Sequence, residues 1–173
     1  CEGMEQRLGR NDVYFLPYLM GERSPLNDVN ARGVFLGLTP ESDRKDMLQA
    51  IFEGVSFGLR DCLEVARKLG LDVKSSMVCG GGAKNRLWLK ILANVLNIRL
   101  TIPACEEGPS MGGAMLAMVA CGRFGSVKEA CESIVSVKGI IDPDMGLANM
   151  YDHKYKKWKK IYPALKLLFN EHN

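Results

Sequence analysis

Histidine is scarce in this chain, with only His153 and His172 among 173 residues, so a zinc site has little to build on. The six cysteines, Cys1, Cys62, Cys79, Cys105, Cys121 and Cys131, form no Cys-x-x-Cys pair and no metal-ligand spacing. Several sit inside apolar runs, which reads as buried, reduced thiols of a cytoplasmic protein rather than a disulfide framework. No charge sign dominates: 23 basic residues against 20 acidic ones leave a net charge of +3, too small and scattered to indicate a nucleic-acid partner. The apolar run at 108–122 is too short to span a bilayer, and no signal-peptide pattern is visible. The Gly-x-Ser-x-Gly elbow of serine hydrolases and the Gly-Lys-Ser/Thr of a P-loop are both absent, and no paired carboxylates stand out in a glycine-flanked loop. Internal repeats, low-complexity segments and flexible linkers are lacking too.

What is present is the profile of a globular protein, 47% hydrophobic and 25% charged, large enough to bury a core. The chain opens on Cys1 and a polar stretch, which reads as a piece of a longer protein, and residues 1–173 are read as a single partial domain. Residues 13–19 form a buried strand, with Pro17 marking an edge or strand end. A loop of turn and charged residues follows over 20–32; its Glu22, Arg23 and Asp28 belong either to a plain surface loop or to one that faces a cleft. A short apolar segment flanked by glycines occupies 33–38.

Thr39, Pro40, Glu41, Ser42 and Asp43 signal a helix start, with Thr39 or Ser42 as cap and Pro40 in the first turn. Apolar positions then recur at helical spacing from Met47 to Ala66, and Gly70 ends the helix. Inside it, Gly54 and Gly58 each cost about 1 kcal/mol against alanine, which predicts close packing on that face. Further on come a helix over 85–96, a strand over 99–103, a core helix over 108–122 packed through Gly112, Gly113 and Ala117, and a helix capped by Ser126. The last segment, 151–169, carries an apolar stripe of Tyr151, Tyr155, Trp158, Tyr162, Leu165 and Phe169. Lys154, Lys156, Lys157, Lys159 and Lys160 fall mostly on its other faces, as a solvated face or as a basic surface for RNA or membrane. The alternation of strands and helices predicts an α/β layered domain with a partly parallel sheet.

One stretch points to chemistry. A short apolar run ending in Met77, Val78 and Cys79 feeds Gly80, Gly81 and Gly82, and the amphipathic segment starting at Leu87 begins after Ala83, Lys84, Asn85 and Arg86. Strand, glycine turn and helix start together bring bare backbone N–H groups to a strand end, where a phosphate or ribose approaches without a Cβ in the way. A dinucleotide fingerprint is excluded, because Asn85 stands where a third glycine belongs and the next strand runs into Pro103 instead of an acidic residue. A tight structural turn and a nucleotide cradle both remain open from the residues alone.

The ordered motifs settle more. Phe15-Leu16-Pro17-Tyr18-Leu19-Met20-Gly21-Glu22-Arg23-Ser24-Pro25, the helix segment Ala50-Ile51-Phe52-Glu53-Gly54-Val55, Cys79-Gly80-Gly81-Gly82-Ala83-Lys84 and Glu107-Gly108-Pro109-Ser110-Met111-Gly112-Gly113-Ala114 resemble, in this order, the second half of an FGGY-family carbohydrate kinase. The resemblance runs over about 13–169, and the wording at 18–25 is most similar to the xylulokinase branch of that family. It implies an incomplete ribonuclease-H-like, actin-like ATPase second domain, with a mixed sheet flanked by helices. The implied activity is ATP-dependent phosphorylation of a ketose hydroxyl, D-xylulose to D-xylulose 5-phosphate, with Mg2+.

By the same resemblance Gly80, Gly81, Gly82 and Ala83 would lie against the nucleotide's ribose and phosphates, with Lys84, Asn85 and Arg86 on the adenine side. No catalytic or metal-binding residue is expected here; the family's aspartate base, metal-binding acid and sugar contacts belong to an N-terminal domain outside this sequence. The 173 residues alone are therefore expected not to turn over. An uncovered sheet edge is expected to favour homo-oligomers. Other readings are a glycerol, gluconate or other pentulose kinase of the family, or a non-catalytic actin-like nucleotide-sensing or assembly module.

Overall fold

The computed structural model describes residues 3–105 and 108–170; Cys1, Glu107 and His172, named above, lie outside them. Strands β1 (Tyr14–Leu16) and β2 (Val34–Leu36) pair antiparallel and carry the loop 20–32 between them. Helix α1 (Arg44–Lys68) packs on β1. Its cap is neither Thr39 nor Ser42 but Asp43, whose carboxylate accepts from the N–H groups of Lys45 and Asp46 while Asp46 reaches back to the Asp43 N–H. A carboxylate serves two donors and suits the positive helix end, so it outcompetes the hydroxyls. Ser42 instead closes the preceding turn by accepting from Thr39 N–H, and Pro40 lies in that turn.

The close packing predicted for Gly54 is real. A Cβ there would overlap the Phe15 carbonyl, whose carbon would be 3.1 Å away. Gly58 is different, since its nearest neighbour would be Pro17 Cγ at an ordinary 3.8 Å. Gly70, at φ +87°, follows the helix end and lets Leu71 N–H turn back to the Ala66 carbonyl.

Strand β3 (Ser75–Met77) leads through a short 3-10 turn (Gly81–Lys84) into α2 (Arg86–Leu96), which returns to β4 (Arg99–Pro103). β3 and β4 are parallel, as a strand–helix–strand crossover requires. Helices α3 (Gly108–Ala120) and α4 (Val127–Ile134) follow, the latter capped by Ser126 as its sequence indicates. Strand β5 (Val137–Ile141) then pairs antiparallel with β4, giving a mixed sheet in the order β3-β4-β5. β5 is not signalled by the sequence, because it is a short, mostly exposed edge interrupted by Gly139.

The core helix expected over 108–122 is corrected. In α3 only Met115 is buried, Leu116 is 59% exposed, and nothing lies within 4 Å of a Cβ built on Gly112 or Gly113. An apolar composition selects burial only when another element lies opposite, and among the described residues α3 packs chiefly on α4. The cysteines are corrected similarly. Cys62, Cys79, Cys105 and Cys121 are exposed free thiols and Cys131 is half-buried.

The aromatic stripe spans two helices, α5 (Met145–Trp158) and α6 (Ile161–Asn170). Tyr151, Tyr155, Trp158 and Tyr162 are buried in the main core with Phe57, Leu87, Ile91 and Val95, and Leu165 and Phe169 pack at its border. Trp158 Nε1 donates to the Phe15 carbonyl at 2.8 Å. Lys154 does not share the solvated face: it is buried and its Nζ lies 2.6 Å from Glu53 Oε2 on α1. Among the described residues no helix is long and apolar enough to cross a membrane.

Candidate functional site

The glycine turn lies at the carboxyl ends of the parallel strands β3 and β4, the place where open α/β sheets leave a crevice. Gly80 has φ +88°, a conformation that an L side chain resists. The chain then closes into its 3-10 turn through hydrogen bonds from Ala83 N–H to the Gly80 carbonyl, 3.1 Å, and from Asn85 N–H to the Gly82 carbonyl, 3.0 Å. The N–H groups of Gly81 and Gly82 precede the first of these donors, so the turn itself offers them no partner. Asn85 is the N-cap of α2, its Oδ1 accepting from Trp88 N–H at 3.1 Å.

Gly82 is a glycine for a packing reason. A Cβ there would sit 2.9 Å from Trp88 Cε3 and run into the indole ring. Trp88 thus props the turn from beneath, and its Nε1 is buried with no hydrogen-bond partner among the described residues. Gly81 is the opposite case, with nothing within 4 Å of an added Cβ.

Beside the turn lies a cavity of about 510 Å³, within the size range of small-molecule sites. Gly80, Ala83, Lys84 and Arg86 form one wall; Val78, Leu89, Ile102 and Ile141 supply apolar surface; Lys138 and Gly139 border it from β5. The structure thus brings four of the seven expected residues together around one cavity. Gly81 lies on the open side of the turn, Gly82 is committed to Trp88, and Asn85 is committed to capping. Cys79 and Cys105 also line the cavity, one at each strand end. Sequence reading misses the β5 wall because antiparallel pairing brings it in from more than fifty positions downstream, with no local pattern to announce it.

The loop 20–32 is held by its own acids. Glu22 accepts from the N–H groups of Ser24 (2.9 Å) and Leu26 (2.8 Å), and Asp28 accepts from the Tyr162 hydroxyl at 2.6 Å. That hydroxyl holds the Asp28 carboxyl below its ordinary range, while burial, with Asp28 beside it, lifts Tyr162 to about 12. Glu22 and Asp28 therefore have structural tasks. A smaller cavity, about 270 Å³, separates this loop from α1 and is lined by Arg23, Asp61 and Cys62 among others. Burial raises the Asp61 carboxyl, and the Tyr155 hydroxyl donates to it.

Residues 2–121 match the FGGY family of carbohydrate kinases, C-terminal domain. The chain is 34% identical over 162 residues to a xylulose kinase of Staphylococcus epidermidis, covering 94% of this chain and 33% of that protein. In structure it resembles a ligand-bound xylulose kinase from Lactobacillus acidophilus, with a TM-score of 0.88 at 26% identity over 98% of this chain and 35% of the other. A gluconate kinase from Lactobacillus acidophilus matches with a TM-score of 0.87 at 26% identity and the same coverage. The chain spans about a third of the length of the curated relatives it matches.

Proposed function

The chain belongs to the FGGY family of carbohydrate kinases, and from that membership we propose that it supplies the nucleotide-binding wall of an ATP-dependent sugar kinase, as a single partial domain over 1–173. The observation that carries this reading is the cavity at the ends of β3 and β4, walled by Gly80, Ala83, Lys84 and Arg86. Its volume and its mix of bare backbone, apolar floor and cations suit a nucleotide. The proposed reaction of the whole protein is transfer of the ATP γ-phosphate to a ketose hydroxyl, D-xylulose to D-xylulose 5-phosphate, in the cytoplasm. The gluconate kinase likeness makes a sugar acid the second acceptor class, and a panel of ketoses and aldonates with coupled ADP detection on the full-length kinase separates the two.

Phosphoryl transfer is mostly positioning plus charge stabilisation from both sides of the phosphate. This chain's contribution is to hold and orient the nucleotide. Among the described residues no three His, Cys, Asp or Glu side chains gather as a cation site, and the proposal leaves the Mg2+ ligands to the part of the relatives that this chain does not cover. The proposal places the proton-accepting base and the sugar contacts in the part of the relatives that this chain does not cover. The 173 residues alone are expected to bind ADP weakly and to show no turnover with any sugar.

The test is calorimetric titration with ADP. Ala83→Leu puts a side chain into the cavity from a non-glycine position, and Gly81→Val places one in open space. Ala83→Leu is expected to lose about tenfold or more in affinity, and Gly81→Val, outside the cavity, to keep wild-type affinity, both with melting temperature unchanged. Wild-type affinity in Ala83→Leu would sink the site. Gly82→Val is uninformative, because it strikes Trp88 before it meets any ligand.

We also propose that these residues self-associate. Leu116 and Met118 on α3, with Val137 and Ile140 on β5, leave apolar side chains exposed. Light scattering is expected to show mass rising with concentration and Leu116→Glu reversing it. A concentration-independent monomer would refute this.

A further inference from the structure

The sheet contains one irregularity, and it lies at the cavity. β4 and β5 pair in register at Leu100 with Ile141, Thr101 with Ile140 and Ile102 with Gly139, but the next pair is Pro103 with Val137. Lys138 is the extra residue, a β-bulge with no cross-strand partner. Bulges redirect a side chain and are common beside active sites. Lys138 lines the same cavity as Gly80 and Ala83, on its β5 side. Its side chain makes no hydrogen bond or ion pair among the described residues, and neither does that of Arg86, which lines the same cavity. A lysine on an edge strand often serves only to block strand pairing, but that role does not require a bulge at a cavity wall.

Resting on the nucleotide reading above, we infer that Lys138 is a phosphate contact of the bound nucleotide, closing the pocket from the β5 side. A lysine ammonium is a compact point charge on a flexible stem, suited to a polyphosphate whose oxygens are reached from one side. The partner chemistry is the phosphates of a nucleoside di- or triphosphate, not its base or ribose. This adds to the site a strand that no local motif identifies.

The experiment is titration of the 173-residue chain and its Lys138→Gln and Lys138→Arg variants with ADP and, separately, adenosine. Glutamine keeps the length and removes the charge. The expected result is about a tenfold loss of ADP affinity in Lys138→Gln, adenosine affinity unchanged, and near-complete recovery in Lys138→Arg. The ADP affinity of the wild type is also expected to fall more steeply with added salt than that of Lys138→Gln. Equal ADP binding by wild type and Lys138→Gln overturns the inference and leaves the glycine-turn site standing. Equal losses for ADP and adenosine overturn the phosphate assignment. Absence of ADP binding by the wild type removes the site and the inference together.

Discussion

Replacing Glu53 by alanine is expected to destabilise the protein by about 3–5 kcal/mol, the cost of leaving a buried charge without its partner. Glu53 is 1% exposed and Lys154 is 7% exposed, so neither can recover hydration when the other is removed. Glu53 Oε1 accepts from Gln49 Nε2 at 2.8 Å and from the Tyr151 hydroxyl at 3.1 Å, and Oε2 takes Lys154 Nζ at 2.6 Å. Lys154 also donates to the Asn11 carbonyl. One carboxylate therefore ties the middle of α1 to α5 and, through Lys154, to the chain before β1. Burial, with the carboxylate beside it, raises the Tyr151 hydroxyl far above its ordinary range, so it stays a donor at any working pH.

Lys154→Met is expected to cost a similar amount, since it strands Glu53. The double variant Glu53→Met/Lys154→Met should lose less than the sum, because replacing a whole buried pair by apolar side chains is often close to neutral. Urea denaturation of the wild type, Glu53→Met, Lys154→Met and the double variant in a double-mutant cycle measures this. A loss below about 1.5 kcal/mol in Glu53→Ala, or strict additivity, would show that water reaches the pair.

Gly54→Ala is expected to destabilise by about 3 kcal/mol or more, and Gly58→Ala, one turn along the same helix, to stabilise by up to about 1 kcal/mol. The sign changes with what lies opposite. At Gly54 the new methyl would overlap the Phe15 carbonyl oxygen, part of a backbone that cannot move aside, and Phe15 Cβ would be 3.3 Å away. That same carbonyl accepts from Trp158 Nε1, so displacing β1 also breaks a buried hydrogen bond to α5. At Gly58 the nearest atom would be Pro17 Cγ at 3.8 Å, an ordinary contact, and alanine's better helix propensity acts unopposed. Thermal melts of the two variants give the comparison directly. Equal shifts would mean that β1 yields to α1.

The periodicity from Met47 to Ala66, the turn at Gly70 and the strand at 99–103 were legible because each is governed by neighbours in sequence: 3.6-residue spacing, a left-handed stop, a short apolar run. The cap of α1 is Asp43 rather than Thr39 or Ser42 because hydroxyl and carboxylate candidates stand close together, and only the reciprocal bond to Asp46 chooses between them. α3 reads as a core helix because composition carries no information about whether a partner lies opposite.

Local spacing and motif order were enough for most of the helices, the crossover from β3 to β4, the glycine turn between them and the family to which the chain belongs, but not for the division of 145–170 into α5 and α6. Which glycine serves which purpose depends on what packs against it: Gly54 admits a carbonyl, Gly82 admits an indole, Gly80 takes a left-handed turn and Gly81 faces open space. Packing also buries Lys154 against Glu53 and brings Lys138 to the same cavity as Ala83. These pairs lie about a hundred and about fifty residues apart in the chain. Side-chain periodicity states which face a residue occupies, but only the packing of elements against one another states what that face meets.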